Sequence, residues 1–192
     1  RRFFEHPGID LIGIIRAAVK NFTGQSREGA STITMQVARN FFLSSEKTLK
    51  RKINEILLSL KIENKLSKEE ILELYINQIY LGQRSFGFSA AANTYFNKSL
   101  ENLNLAEIAL LAGLPKAPSR YNPLSNPDLA ITRQHTVLNN MYKYGFIDRP
   151  SYILALEEHL NLVEKNIRYE IQADYIAEMV RKVLFDEYGN SI

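Results

Sequence analysis

The 192-residue sequence contains no cysteine and only three histidines. Without cysteine, neither a disulfide framework nor a thiolate metal site can form, and the redox compartment is left open. No uninterrupted apolar run approaches the ~18 residues that a membrane-spanning helix needs, and no signal peptide is visible. These absences exclude disulfide-stabilised scaffolds and thiolate metal centres.

The sequence also has little excess of either positive or negative charge. The chain has 24 Lys and Arg against 21 Asp and Glu, a net charge of +3, which is compatible with phosphate ligands or an anionic membrane and demands neither. Apolar residues make up 45% of the sequence, enough to bury a core as one domain, or as one domain with a smaller lobe. The chain opens on RRFFEHPG, with neither an initiator Met nor a polar tail, and we expect it to be a fragment of something longer.

Helical periodicity runs through most of the sequence, and no pair of strands is convincing. Two helices begin with capping boxes, in which Ser67 and Asn104 are each followed three residues later by Glu. Three later segments also have helical patterns, at residues 127–144, 149–159 and 171–188. The sequence therefore predicts an all-α domain of about eight helices.

The stretch GASTITMQVARN, residues 29–40, predicts a helix that is apolar nearly all round and carries one narrow polar stripe. At 100° per residue, the stripe consists of Thr32, Gln36, Arg39 and Asn40. Its hydroxyl, two amides and single guanidinium are typical of a binding surface. Gly29 and Ser31 precede it, so Ser31 as N-cap and free backbone donors would suit a phosphate or sugar oxygen. Alternatively, Ser31 merely caps the helix and the stripe is a narrow solvated face.

Residues 46–65 form the next predicted helix. Its apolar residues at three- and four-residue spacing predict one buried face, made of Leu49, Ile53, Ile56, Leu57 and Leu60. Arg51 and Lys52 lie one turn before Glu55 on the opposite side. The cations could neutralise a leaving phosphate, and the carboxylate could transfer a proton or hold a metal. The alternative is an exposed ion pair worth ~0.3 to 0.5 kcal/mol. Since Leu58 and Ile62 continue this side, we expect it not to face open water.

Five ordered stretches resemble the signatures of peptidoglycan glycosyltransferases, the transglycosylase domains of bifunctional penicillin-binding proteins and their monofunctional relatives. The first signature is matched by Arg1, Phe3, His6 and Gly8. The second resembles GASTITMQVARN, with Arg39 where Lys is commoner, and the third resembles RKINE with SKEEILELYINQIYLG. The remaining two resemble FGFSAAANTYF and LNLAEIALLAGLPKAPSRYNP. The resemblance spans about residues 1–125.

This resemblance implies a lysozyme-like helical fold with a smaller jaw lobe that touches the membrane. We expect residues 1–192 to form a single glycosyltransferase domain, with the jaw at about residues 9–30. Residues 160–192 would be a C-terminal helical extension or the start of a linker. The apolar run at residues 9–22 contains Arg16 and Lys20 and suits a membrane-facing jaw, although its pattern fits a buried core helix almost equally well.

The implied activity is polymerisation of the lipid-linked disaccharide-peptide, lipid II, into glycan chains with release of undecaprenyl pyrophosphate. Glu55 would be catalytic, assisting at the donor phosphate or at a divalent cation, Mg or Mn, and no organic cofactor is expected. The residues that would bind substrate are Arg1, His6, Gly29, Ser31, Thr32, Gln36, Arg39, Asn40, Arg51 and Lys52. In the family the catalytic base lies in an acidic pair before the residue matching Arg1, so we expect these 192 residues to lack it.

The implied partners are lipid II, the growing lipid-linked glycan chain, the membrane surface and moenomycin-like phosphoglycolipid inhibitors, with a fused transpeptidase domain and no nucleic acid. The implied location is the extracytoplasmic face of a bacterial inner membrane, anchored by a transmembrane helix outside this fragment.

A lysozyme-like muramidase would share the fold but would need no cations, because its substrate has no pyrophosphate. A noncatalytic helical interaction domain explains the capped helices but not the stripe. A nucleic-acid-binding module would need a basic face, whereas the cations here are scattered.

Overall fold

A computed structural model describes residues 3–23, 29–42 and 48–163 of the chain. In these ranges the structure has eight α-helices and no strand, which confirms the all-α prediction. The helices are α1 (Leu11–Phe22), α2 (Ile33–Phe42), α3 (Leu49–Glu63), α4 (Lys68–Gln78), α5 (Phe88–Phe96), α6 (Leu105–Gly113), α7 (Pro127–Lys143) and α8 (Arg149–Glu157). The helix predicted at residues 171–188, and most of the extension predicted at 160–192, lie outside the described residues.

Capping residues fix the ends of several helices. The side chains of Ser67 and Asn104 each accept a hydrogen bond from the backbone N–H three residues on, and the Glu side chain at that position accepts one from the backbone N–H of the cap residue. Both predicted capping boxes are therefore confirmed. Gly145 follows the end of α7 with φ +74°, a left-handed conformation in which glycine has no Cβ penalty. None of the described helices combines the length and apolarity that a membrane span requires.

Among the described residues, one buried cluster is formed largely by α5 and α6, and Tyr95 is its largest fully buried side chain. Tyr95 is fully buried and donates its hydroxyl to the backbone oxygen of Leu81 at 2.9 Å, which satisfies the one polar atom of the ring. Burial raises the pKa of Tyr95 to about 12. A second cluster joins α6, α7 and α8 around Leu138. A third joins the N-terminal residues to α2 and α4 through Phe3, Val37 and Ile71, and this third cluster positions the candidate site.

The fully buried residues of α3 lie on the side opposite the predicted face. Leu49, Ile53 and Leu57 are 85%, 58% and 54% exposed, whereas Glu55 and Ser59 are fully buried. Helix α3 packs against α2, and it does so with its polar side. This packing is tolerated because the buried carboxylate is neutralised by cations of its own helix, which offsets much of its desolvation cost. Ile56 and Leu60 of the predicted face are half-buried, so the prediction from the apolar periodicity is wrong at Leu49, Ile53 and Leu57.

Two glycines with positive φ provide a matched test of backbone strain against steric overlap. A Cβ on Gly87 (φ +83°) would come 2.5 Å from the backbone oxygen of Asn77, whereas a Cβ on Gly145 (φ +74°) would meet no atom within 4 Å. We expect Gly145→Ala to lower the free energy of unfolding by about 1 to 2 kcal/mol through strain alone. Gly87→Ala adds a backbone clash and should cost roughly 3 kcal/mol or more. Chemical denaturation measures both, and equal losses would contradict the steric argument.

Candidate functional site

Glu55 on α3 lies at the centre of a group of paired charges. Its side chain has no exposed surface, and its Oε2 accepts a hydrogen bond from Arg51 Nη1 at 2.8 Å while its Oε1 accepts one from Lys52 Nζ at 2.6 Å. The side chain of Thr48 caps the start of the helix by accepting a hydrogen bond from the Arg51 N–H. Because residues three and four apart share one side of a helix, Arg51 and Lys52 both lie on the side of Glu55. The predicted grouping of these residues is confirmed, and the alternative of an exposed ion pair is wrong.

Lys52 also links α3 to the start of α2. Its Nζ donates to Ser31 Oγ at 2.8 Å. The Lys52 side chain is 38% exposed, and it reaches the cavity described below through Ser31 and does not itself line it. An ammonium has three donors, of which Glu55 and Ser31 use two. Lys52 can therefore donate to an anionic ligand without losing these two partners.

The N-cap of α2 is Thr32, one residue later than predicted, because the helix begins at Ile33. Thr32 Oγ1 accepts a hydrogen bond from the Met35 N–H at 3.2 Å and donates to the backbone oxygen of Gly8 at 2.6 Å. The prediction that Ser31 caps the helix is wrong. Since Thr32 takes that role, the Ser31 hydroxyl is available to accept from Lys52.

A cavity of about 190 Å³ opens between the N-terminal residues, α1 and the start of α2. Five of the predicted binding residues line it: His6, Gly29, Ser31, Thr32 and Gln36. Helix α1 contributes Asp10, Gly13 and Arg16, which sequence reasoning did not select as site residues. Asp10 is the N-cap of α1 and accepts from the Gly13 N–H at 2.9 Å. The signal that could have identified this wall is a capping Asp followed by an Arg within an otherwise apolar helix.

Other predicted binding residues lie away from this cavity. Arg39 lies near Tyr75 of α4, where burial raises the pKa of Tyr75 and the charge of Arg39 opposes that rise. Asn40 is exposed, and neither residue lines the cavity. Arg1 lies outside the described residues. The polar stripe of α2 is thus divided, with Thr32 and Gln36 at the cavity and Arg39 and Asn40 further along the helix.

His6 forms part of the cavity wall in a partly desolvated position. Burial, and then the positive charge of Lys68, lower the pKa of His6 below its ordinary value of 6.5. The imidazole is therefore neutral at neutral pH. Its Nδ1 is buried and has no hydrogen-bond partner among the described residues. His6 thus presents an uncharged ring to the cavity.

The contacts of Glu55 do not fit a divalent cation. Both of its oxygens already accept from cationic donors. Within residues 3–23, 29–42 and 48–163, no three His, Asp or Glu side chains are grouped as a metal would need. Because Mg²⁺ and Mn²⁺ prefer several oxygen ligands, the arrangement around Glu55 suits an anionic group beside Lys52 better than a metal.

Comparisons with known proteins identify relatives of this chain. A transglycosylase family model matches residues 1–142. Penicillin-binding protein 1A of Neisseria gonorrhoeae is 54% identical over 190 residues, covering 98% of this chain and 24% of that protein. The Pseudomonas aeruginosa protein of the same name is 50% identical over 189 residues, covering 98% of this chain and 23% of that protein. This chain thus spans about a quarter of the length of these relatives.

A crystal structure of penicillin-binding protein 1A from Haemophilus influenzae matches the fold with a TM-score of 0.55 and 36% sequence identity. The match covers 83% of this chain and 20% of that one. The family model includes α2, α3 and the whole cavity wall. The chain therefore belongs to the transglycosylase family, the peptidoglycan glycosyltransferase domains of penicillin-binding proteins, as the five ordered signatures indicated.

Proposed function

We propose that this glycosyltransferase domain polymerises lipid II into glycan chains at the cleft beside Lys52, with release of undecaprenyl pyrophosphate. The observation that carries the proposal is the ammonium of Lys52, which is held by buried Glu55 and by Ser31 at the cavity edge. A cation fixed beside a polar cavity suits a substrate whose leaving group is a pyrophosphate.

In the proposed reaction a hydroxyl of the acceptor sugar attacks the anomeric carbon of the donor. The bond from that carbon to the pyrophosphate oxygen breaks, and the bonding electrons leave with the pyrophosphate. The transition state resembles an oxocarbenium ion while negative charge grows on the leaving group. Lys52 stabilises this charge, and Arg51 adds to the positive potential. The resemblance to the family assigns the base to a carboxylate of the acidic pair that precedes the residue matching Arg1.

Within this proposal, Glu55 acts through its two cations. Its carboxylate is fully buried and both of its oxygens are hydrogen-bonded, so it does not reach the acceptor hydroxyl. Its role is to hold Arg51 and Lys52 in fixed positions before substrate binds. Charges that are already in place need no rearrangement when the leaving group becomes negative, which is the condition for strong electrostatic stabilisation.

Helix α1 supports the proposed membrane contact. Its exposed apolar residues form one face, made of Leu11, Ile12, Ile15, Val19 and Phe22. Lys20 and Arg16 lie on the same helix, a composition typical of helices that lie in a membrane interface. We therefore assign α1 to the jaw at about residues 9–30. The exposed Leu49, Ile53 and Leu57 of α3 extend the apolar surface available for such contact.

The proposal also includes a fused domain, a cellular location and a class of inhibitors. The relatives are penicillin-binding proteins that are about four times the length of this chain. This supports a fused transpeptidase domain and a site at the extracytoplasmic face of the inner membrane. A cleft that binds a lipid-linked pyrophosphate would also bind moenomycin-like phosphoglycolipids, because they offer the same combination of phosphate, sugar and lipid.

The proposal is tested with the full protein and lipid II, where we expect glycan polymer on a gel. Lys52→Ala should slow polymerisation and weaken the binding of inorganic pyrophosphate by roughly 1.5 to 3 kcal/mol, the value of a hydrogen bond to a charged group. Calorimetry measures the binding. Lys61→Ala, on an exposed position of the same helix, is the matched control and should change neither quantity. Equal effects of the two substitutions would refute the role of Lys52, and hydrolysis of purified cell wall without polymer would favour a muramidase.

The membrane contact predicts that a charge on α1 reduces binding to anionic lipid vesicles. Ile15 and Leu154 are similarly exposed, at 64% and 66%, but lie on α1 and α8. Ile15→Glu should lower vesicle binding about tenfold or more, because a carboxylate in the interface costs burial and repels anionic lipid. Leu154→Glu should leave it unchanged. Sedimentation with vesicles measures both, and equal behaviour would show that α1 is not the membrane-binding surface.

A further inference from the structure

Residues 3–8, called here the N-terminal segment, are held by contacts from three different helices. Thr32 at the start of α2 donates its hydroxyl to the backbone oxygen of Gly8 at 2.6 Å. Lys68 at the start of α4 donates its ammonium to the backbone oxygen of His6 at 2.6 Å. Glu63 at the end of α3 packs so closely on Gly8 (φ +84°) that a Cβ there would lie 3.0 Å from Glu63 Cγ. The segment is therefore fixed from outside rather than by secondary structure of its own.

Lys68 is the only one of these groups that carries positive charge, and that charge is paired. Its Nζ lies 2.7 Å from Glu63 Oε1 and 4.7 Å from the centre of the Phe3 ring. The side chains of Lys68 and Glu63 are 17% and 9% exposed. Glu63 Oε1 also accepts the hydroxyl hydrogen bond of Thr34 on α2. One nearly buried ion pair thus joins α2, α3 and α4 to the N-terminal segment.

The position of this segment matters because it forms a wall of the cavity. Phe3 and His6 line the cavity together with Ser31 and Thr32 of the α2 start. Without the ammonium, the carbonyl of His6 would keep only the longer bond from the Gly8 N–H at 3.0 Å, a bond within the segment itself. The segment would still be held at Gly8 by Thr32 and at Phe3 by the third cluster. Between these two points the His6 backbone would lose its contact with α4 and would be less firmly positioned relative to α3, where Lys52 and Glu55 lie.

We propose that Lys68 is a positioning residue for glycosyl transfer: paired with Glu63, it fixes the N-terminal wall of the cavity relative to the Lys52 and Glu55 site. The inference rests on the proposed function, since it assigns Lys68 to the same reaction. Lys68 touches neither the reacting atoms nor the pyrophosphate. Its loss therefore affects turnover by displacing the wall and leaves the phosphate contact of Lys52 in place.

The test uses the full protein with lipid II, and it compares Lys68→Met with a matched ion pair elsewhere in the fold. Lys98 and Glu107 are also joined at 2.7 Å, with Glu107 buried, but they lie between α5 and α6, away from the cavity. We expect Lys68→Met to lower kcat for polymerisation about tenfold to a hundredfold, the loss typical of a displaced catalytic geometry. The affinity for inorganic pyrophosphate should stay within about twofold. Lys68→Arg should recover most of kcat because a guanidinium can donate to both oxygens.

Lys98→Met should lower the melting temperature and leave kcat unchanged. Equal kcat in Lys68→Met and wild type, or equal losses in Lys68→Met and Lys98→Met, would overturn the inference. A wild-type protein that makes no polymer would instead overturn the proposed function.

If Lys68→Met does not fold, Glu63→Gln decides the question, because it keeps the side-chain shape and removes the charge that pairs with Lys68. Wild-type kcat in Glu63→Gln would equally overturn the inference, and a selective loss of kcat would support it.

Discussion

Burying a carboxylate is costly unless cations pair with it. Glu55 has no exposed surface, and its two cationic partners, Arg51 and Lys52, lie on the same helix. This local neutralisation lets α3 turn its polar side toward α2 and leave Leu49, Ile53 and Leu57 outside. The same arrangement places the ammonium of Lys52 against Ser31. The packing of α3 by its polar side and the position of Lys52 beside Ser31 thus follow from one buried charge.

The site joins three helices to an N-terminal segment that has no regular secondary structure. Thr32 serves as a helix cap and also holds Gly8, so the start of α2 and the N-terminal segment are fixed together. Lys68 and Glu63 add a second connection between that segment and the helices. The two clusters that contain Tyr95 and Leu138 are formed mainly by α5, α6, α7 and α8, and they supply the scaffold. The third cluster, around Phe3, Val37 and Ile71, is the part of the core that also positions the site.

Local chemistry could be predicted from the sequence, and side-chain orientation between helices could not. The capping boxes at Ser67 and Asn104 depend on residues three apart, and both form as predicted. The grouping around Glu55 was also predictable, because helical spacing determines it. The exposed face of α3, the contribution of α1 to the cavity and the placement of Arg39 near Tyr75 depend on tertiary packing, which periodicity does not encode.

The central claim is that Glu55 orders the two cations that serve the leaving group, and polymerisation by Glu55→Gln tests it most directly. Glutamine keeps the shape of the side chain but cannot neutralise Arg51 and Lys52. The account predicts a folded protein whose turnover falls about a hundredfold or more, the scale of a lost electrostatic contact in a transition state. Glu107→Gln removes an equally buried carboxylate paired with Lys98 and should lower stability alone. A Glu55→Gln protein that polymerises lipid II at a near-normal rate would contradict the account.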